Sequence, residues 1–254
     1  MLRLIARIDT RNAHHIKTVR CEGTQKLRKV EDSIQEFSQG ENEHDELILL
    51  DNVASLYGFE NWLTRMDAPH MYCPLPLAIG GGIKSLEDAT EAIRRGADKV
   101  VVNTAAINNH KLLECLAGAL GSQAVVLQVD AKRIEKQYLC LTHGARELSR
   151  YNLVEWLLIA QDSGIGEVHV TSVDSEGTVD PFPEPLAEKV MSNAGVPVIL
   201  SGGIRSSEDI CHLHESYGVA AFSISSFTAV LGGSISRLRR DLLNSGMEVR
   251  SVCE

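Results

Sequence analysis

The sequence predicts an α/β chain folded as a (β/α)8 barrel made of two repeated (β/α)4 halves, with residues 1–254 as one domain. Three observations lead there. Short apolar runs alternate with longer amphipathic stretches from end to end, as a parallel sheet with crossover helices requires. The length of 254 residues suits one such barrel better than two small domains. The second half also repeats motifs of the first at one fixed spacing.

The strand-like runs, in order, are LIARID (4–9), ELILLD (46–51), LPLAIG (75–80), DKVVVN (98–103), AVVLQVD (124–130), EVHVTS (167–172), PVILS (197–201) and VAAFSI (219–224). They are aliphatic, as strands buried on both faces tend to be. Between them, segments such as SLEDATEAIRRG (85–96) and NLVEWLLIAQDSG (152–164) place apolar residues at helical intervals and carry Gly near their ends. KRIEKQYLCLTHGARE (132–147) reads as a hairpin inserted after the fifth strand, covering the barrel mouth.

An open doubly wound sheet is the rival arrangement, and the repeat decides against it. GGIKSLED (81–88) resembles GGIRSSED (202–209), IDTR (8–11) resembles VDAK (129–132), and Glu46 and Thr104 match Glu167 and Ser225. All four matches lie 121 residues apart, so two half-barrels close naturally into eight strands, a TIM barrel.

Composition narrows the function. With 44% hydrophobic and 23% charged residues the chain can bury a sizeable core, and 5% aromatics make that core aliphatic. A net charge of −9 without a Lys/Arg block argues against nucleic acid as a partner. Six scattered cysteines without a C-x-x-C motif read as reduced, packed thiols. With no signal peptide or long apolar run, the expected location is the cytoplasm and no membrane is involved. Nothing in the sequence points to a metal or an organic cofactor.

Barrel chemistry sits where strands end. Gly81-Gly82 and Gly202-Gly203 follow the third and seventh strands, each with a serine (Ser85, Ser206) placed to cap the next helix. Glycine lets backbone approach a phosphate and a helix N-terminus supplies N–H donors. Asn103-Thr104 and Ser225-Ser226 add donors one strand later. Two such sites on opposite sides of the mouth call for a long substrate phosphorylated at both ends. Asp9 and Asp130 end the first and fifth strands and are candidates for general acid–base work. Asp51 is a weaker candidate and could serve as a structural acceptor. His169 reads as a satisfied core histidine, and Trp62 and Trp156 as packing residues.

GGGIKSLEDA (80–89), GADKVVVNTAAI (96–107), GSQAVV (121–126), VDAKR (129–133), GEVHVTSVDSEGT (166–178) and SGGI (201–204) resemble the cyclase subunit family of imidazole glycerol phosphate synthase, over nearly the whole chain. The resemblance implies a lyase of histidine biosynthesis that receives ammonia through the barrel from a glutaminase partner. Ammonia then attacks a bis-phosphorylated ribulosyl-formimino carboxamide nucleotide, and cleavage with ring closure gives imidazole glycerol phosphate and an aminoimidazole carboxamide ribotide. It implies an acid–base pair at Asp9 and Asp130 with a loop lysine at Lys17. Phosphate contacts are implied at Gly82, Asn103, Thr104, Gly177, Thr178, Gly203 and Ser225. At the opposite end it implies an ammonia gate of Arg3, Glu46, Lys99 and Glu167, with Asp98 facing the partner.

Two departures stand out. The loop after the first strand (10–32) lacks the family's Asp-Gly turn and Gly-Asp-Pro stretch, and position 176 is Glu where the family has Asp. NVASLYG (52–58) and DSEGT (174–178) are more similar to paralogues linked to surface polysaccharide. These imply an alternative: a non-cyclising barrel that channels ammonia to a sugar-amidating complex.

Overall fold

The computed structural model describes residues 1–57, 73–224 and 233–251. Eight parallel strands form the barrel: β1 (Arg3–Arg11), β4 (Glu46–Asp51), β5 (Leu77–Gly80), β6 (Lys99–Val102), β7 (Val125–Ile134), β10 (Glu167–Ser172), β11 (Val198–Ser201) and β12 (Ala221–Ile224). Each pairs with the next in parallel, β12 pairs with β1, and β7 pairs with β10, so the sheet closes as a TIM barrel. In that ring β1 lies opposite β7, and β5 opposite β11.

Side-chain alternation sorts each strand into two faces. Leu4, Ala6 and Ile8 of β1 join the large apolar layer between barrel and helices. Ile5 faces inward and meets Ile48, Leu50, Val101, Val126 and Ile199 in a small core within the barrel. By the same alternation Arg3, Arg7 and Asp9 also face the interior. The apolar plug therefore separates a charged layer at the strand starts from a polar layer at their ends.

Outside the barrel, α3 (Leu86–Arg94) and α8 (Ser207–Tyr217) are started by the predicted serine caps. Ser85 accepts from Asp88 N at 3.1 Å and Ser206 from Asp209 N at 3.3 Å. α6 (Leu153–Asp162) opens with a capping box of Asn152 and Glu155, and its Trp156 is fully buried, stacked on Tyr151 at 5.3 Å. Trp62 lies outside the described residues.

Both half-barrels extend their first strand into an antiparallel hairpin. β7 runs on to pair with β8 (Gln137–Thr142), which pairs with β9 (Glu147–Asn152), as the insertion predicts. Residues 10–32, which the sequence presents as a loop, instead form β2 (His14–Val19) and β3 (Glu22–Lys29), with β2 paired to β1. The turn between them is Arg20-Cys21, both at positive φ (53° and 58°). Hairpin turns of this kind usually carry Gly or Asn, and their absence hid the hairpin from the sequence.

Among the described residues no helix is long and apolar enough to cross a membrane, and no group of three or more His, Cys, Asp or Glu is placed to hold a metal.

Candidate active site

Asp9 and Asp130 stand at matching places in opposite half-barrels, Asp9 paired with Ile16 of β2 and Asp130 with Leu141 of β8. Both are buried, at 4% and 3% exposure, at the inner end of the mouth. Asp130 accepts from Gln128 Nε2 through Oδ1 and from Asn103 Nδ2 through Oδ2, each at 2.9 Å. Burial pushes the Asp130 carboxyl up, against the pull of Arg7 and the Gln128 hydrogen bond.

Asp9 has a different neighbour. Arg7 Nε donates to Asp9 Oδ1 at 3.1 Å, its Nη2 lies 3.0 Å from the same oxygen, and its Nη1 donates to Thr171 Oγ1 of β10 at 2.8 Å. The guanidinium thus reaches across the barrel interior between strands that are not neighbours in the ring. Burial opposes its charge, but Asp9, Cys21, Asp130 and Glu176 outweigh that and raise the Arg7 pKa. Lys17 sits half-buried on β2, opposite Gln25 of β3, and donates to neither carboxylate. The cation on Asp9 is Arg7, a residue the sequence reading missed. Its signal was present: Arg7 and Gln128 are 121 residues apart, each two before its aspartate.

A cavity of about 360 Å³ opens beside Asp130, lined by Asp51, Gly81, Gly82, Asn103, Thr104 and Gln128 among others. Of the implied phosphate contacts, Gly82, Asn103 and Thr104 meet here. Asp51 acts partly as a structural acceptor, its Oδ1 taking the N–H groups of Val53 and Ala54 at 3.0 and 3.1 Å. Gly81 (φ 84°) and Gly202 (φ 87°) are needed for close approach: a Cβ would strike the carbonyl oxygen of Asp51 or of Ser172. Asp51 and Ser172 are themselves 121 residues apart, so the repeat extends to this packing.

The implied contacts of the second half lie in the segments after β10 and β11. Thr178 Oγ1 donates to Ser175 O at 3.0 Å, and Gly203 O accepts from Phe182 N at 3.0 Å. Ser225 and Ser226 lie outside the described residues. The β2–β3 hairpin rests on this side of the mouth. Glu176, 4% exposed, accepts from Thr18 Oγ1 at 2.9 Å and from Cys21 N at 2.7 Å, while its carbonyl accepts from Arg20 N at 2.7 Å. The Glu176 carboxylate, one methylene further out than the Asp of the resembling family, is therefore the anchor of the hairpin tip.

At the other end of the barrel Arg3, Glu46, Lys99 and Glu167 form a closed ring. Arg3 bonds Glu46 at 2.6 Å and Glu167 at 2.5 Å, and Lys99 bonds Glu46 at 3.2 Å and Glu167 at 2.9 Å. Despite burial, the Arg3 and Lys99 pKa values are raised and that of Glu46 is lowered by these contacts. Asp98, on the exposed side, accepts from Leu77 N at 2.8 Å and so tethers the start of β5.

His169 corrects an expectation. It is fully buried on β10 between inward-facing Glu167 and Thr171, yet neither ring nitrogen has a hydrogen-bond partner. Burial, helped by Arg7, pulls its pKa well down, so the ring is neutral.

A family model described as "Histidine biosynthesis protein" matches residues 3–229. Several similar curated proteins carry the name imidazole glycerol phosphate synthase subunit HisF. The one from Legionella pneumophila is 40% identical over 215 residues, 82% of this chain and 98% of the relative. Those from Chlorobium phaeobacteroides (strain BS1) and Thermococcus onnurineus (strain NA1) are each 34% identical, over 97% and 98% of this chain and 94% and 97% of theirs.

Proposed function

The chain belongs to the histidine biosynthesis protein family as a cyclase of the HisF type, a lyase, and from that membership we propose how its parts divide the work. Asp9 and Asp130 manage charge and protons at the mouth as ammonia attacks a ribulosyl-formimino carboxamide nucleotide. Carbon–nitrogen cleavage and ring closure, with the ketone oxygen leaving as water, then release imidazole glycerol phosphate and aminoimidazole carboxamide ribotide. One substrate phosphate sits in the cavity of Gly82, Asn103 and Thr104, and the other is held by Gly177, Thr178, Gly203 and Ser225. Residues 1–254 act as one barrel domain, and no cofactor takes part.

The relatives are named as subunits, so a partner subunit is expected. We propose a glutaminase that docks at the strand starts near Asp98 and delivers ammonia past the Arg3–Glu46–Lys99–Glu167 ring.

The observation that carries this reading is the paired burial of Asp9 and Asp130 on opposite strands, with a cavity beside Asp130 whose lining includes the Gly81-Gly82 backbone, Asn103, Thr104 and Gln128. A barrel that only passed ammonia onward would need neither carboxylate. One observation favours the sugar-amidating alternative: the Glu176-anchored hairpin tip lies over the side of the mouth where the second phosphate belongs.

Turnover of the ribulosyl-formimino nucleotide with excess ammonium salt at alkaline pH, without a partner, separates the two. Formation of imidazole glycerol phosphate supports the cyclase. Binding of the nucleotide without turnover overturns it in favour of the sugar-amidating barrel.

A further inference from the structure

We propose that His169 and Ser223 form a binding site inside the barrel for one small neutral molecule, ammonia, on the line from the four-charge ring to the mouth. The assignment rests on the reading that ammonia is delivered through the barrel, and adds to it a place where the molecule is held on the way.

The inner apolar core takes residues from seven of the eight barrel strands, among them Val126 of β7, Ile199 of β11 and Ala221 of β12. On the eighth, β10, the inward positions are Glu167, His169 and Thr171, because Val168 and Val170 turn outward into the large apolar layer. His169 is aligned with Gln128 of β7 and Ile199 of β11, so its ring enters the bore from the strand that gives this core no apolar side chain. The ring is fully buried, and neither Nδ1 nor Nε2 has a hydrogen-bond partner among the described residues.

One row nearer the mouth, Thr171, Ser201 and Ser223 are aligned across the adjacent strands β10, β11 and β12. Thr171 already accepts from Arg7 Nη1 at 2.8 Å. Ser223, 2% exposed, alternates with inward-facing Ala221, and its Oγ has no partner among the described residues. Three unpartnered polar atoms thus face the bore from one side of its wall.

A buried donor or acceptor left unpaired is costly, and a small guest that both donates and accepts removes that cost. A neutral imidazole has one N–H and one bare nitrogen. Ammonia binds the first through its lone pair or the second through one of its hydrogens, with the Ser223 hydroxyl as a further contact. Water shares this chemistry, and the test below separates the two. An ammonium ion does not fit. It would exchange its hydration for a largely apolar wall, and Arg7, the charge that acts on the ring, is positive. Glu167 does not offset this, because its carboxylate is engaged by Arg3 and Lys99.

The state of the ring matters to its guest. Burial, helped by Arg7, keeps the imidazole neutral. An imidazolium would pass its proton to ammonia, the stronger base, and the ammonium formed has no lone pair with which to attack carbon. A ring that stays neutral hands the nucleophile on unchanged.

The test is 15N NMR of the protein labelled at its histidine rings. The His169 signals are those lost in His169→Leu, and through-bond correlation to the backbone identifies them without any variant. Ammonium chloride is added at alkaline pH, where free ammonia is present, and at mildly acidic pH, where the same salt supplies ammonium. Sodium chloride at each pH is the control. The His169 signals are expected to move with ammonium chloride at alkaline pH alone. Ser223→Ala is expected to weaken that response about two- to tenfold, as for one lost neutral hydrogen bond; an unchanged response removes Ser223 from the site. No movement beyond the sodium chloride control overturns the proposal, and equal movement at both pH values overturns a neutral guest. Ring nitrogens that are hydrogen-bonded from the start and ignore the salt hold water, which overturns ammonia. Absence of ammonium-driven turnover in the parent would instead refute the cyclase reading, while the response of the ring is read separately.

Discussion

Glu176 holds Thr18. Its carboxylate spans the hairpin tip, accepting the Thr18 hydroxyl at 2.9 Å on one oxygen and the Cys21 backbone N–H at 2.7 Å on the other. The tip that it holds is strained, because Arg20 and Cys21 both sit at positive φ without glycine's freedom. A hydrogen bond to a charged group contributes about 1.5–3 kcal/mol, enough to offset strain of about 1–3 kcal/mol per residue in such conformations.

Removing this anchor should free the hairpin without unfolding the barrel. Arg20 is exposed at the tip and offers a tryptic site. Glu176→Ala is expected to raise the rate of limited trypsin cleavage at Arg20 by about tenfold or more, the equivalent of one lost charged hydrogen bond. Glu176→Asp, one methylene shorter, should lie between. Equal cleavage rates in all three proteins would show that the tip is held by something else.

The four-charge ring lies at the far end of the barrel from Asp9 and Asp130, beyond the apolar layer of Ile5, Ile48 and Val126. Glu167→Gln weakens the bonds to both Arg3 and Lys99. With a glutaminase partner, glutamine-driven turnover should fall by about tenfold, corresponding to roughly 1.4 kcal/mol. Turnover driven by ammonium salt should change little. Equal losses in the two assays would assign the ring to stability alone.

Buried histidines set the response of the fold to acid. Burial holds His44 down to about 4, and its Nδ1 donates to Asn42 O at 2.8 Å while Nε2 has no partner. It is neutral when folded, whereas the unfolded imidazole binds a proton below about 6.5. Unfolding therefore takes up a proton between those values. The stabilisation is fully present above pH 6.5 and is lost as pH falls toward 4, at up to about 1.4 kcal/mol per pH unit. The melting temperature should drop between neutral and mildly acidic pH. His44→Asn, which keeps a donor near Asn42, should flatten that drop; an unchanged slope would move the effect to other groups.

Much of this architecture was legible because repetition leaves a trace in sequence. The offset of 121 residues located the glycine pairs, both capping serines and both aspartates, and the eight apolar runs fall on the eight barrel strands. What escaped was chemistry that depends on inward-facing positions. Arg7 and Gln128 resemble neither each other nor any motif, and only the closed barrel brings Arg7 to both Asp9 and Thr171. The β2–β3 hairpin escaped because its turn lacks the usual residues and depends on a partner, Glu176, far along the chain. His169 was placed in the core correctly, but its unpartnered nitrogens could not be read from a strand's alternation.

The most direct test of the paired-carboxylate account is ammonium-driven turnover of the ribulosyl-formimino nucleotide by the parent, Asp9→Asn and Asp130→Asn. The account predicts clear turnover by the parent and losses of about 10²–10⁴-fold in each variant, the range expected when a group that manages charge or protons at the reacting atoms is removed. Nucleotide affinity should stay near the parent's. Variants that turn over as fast as the parent would contradict it.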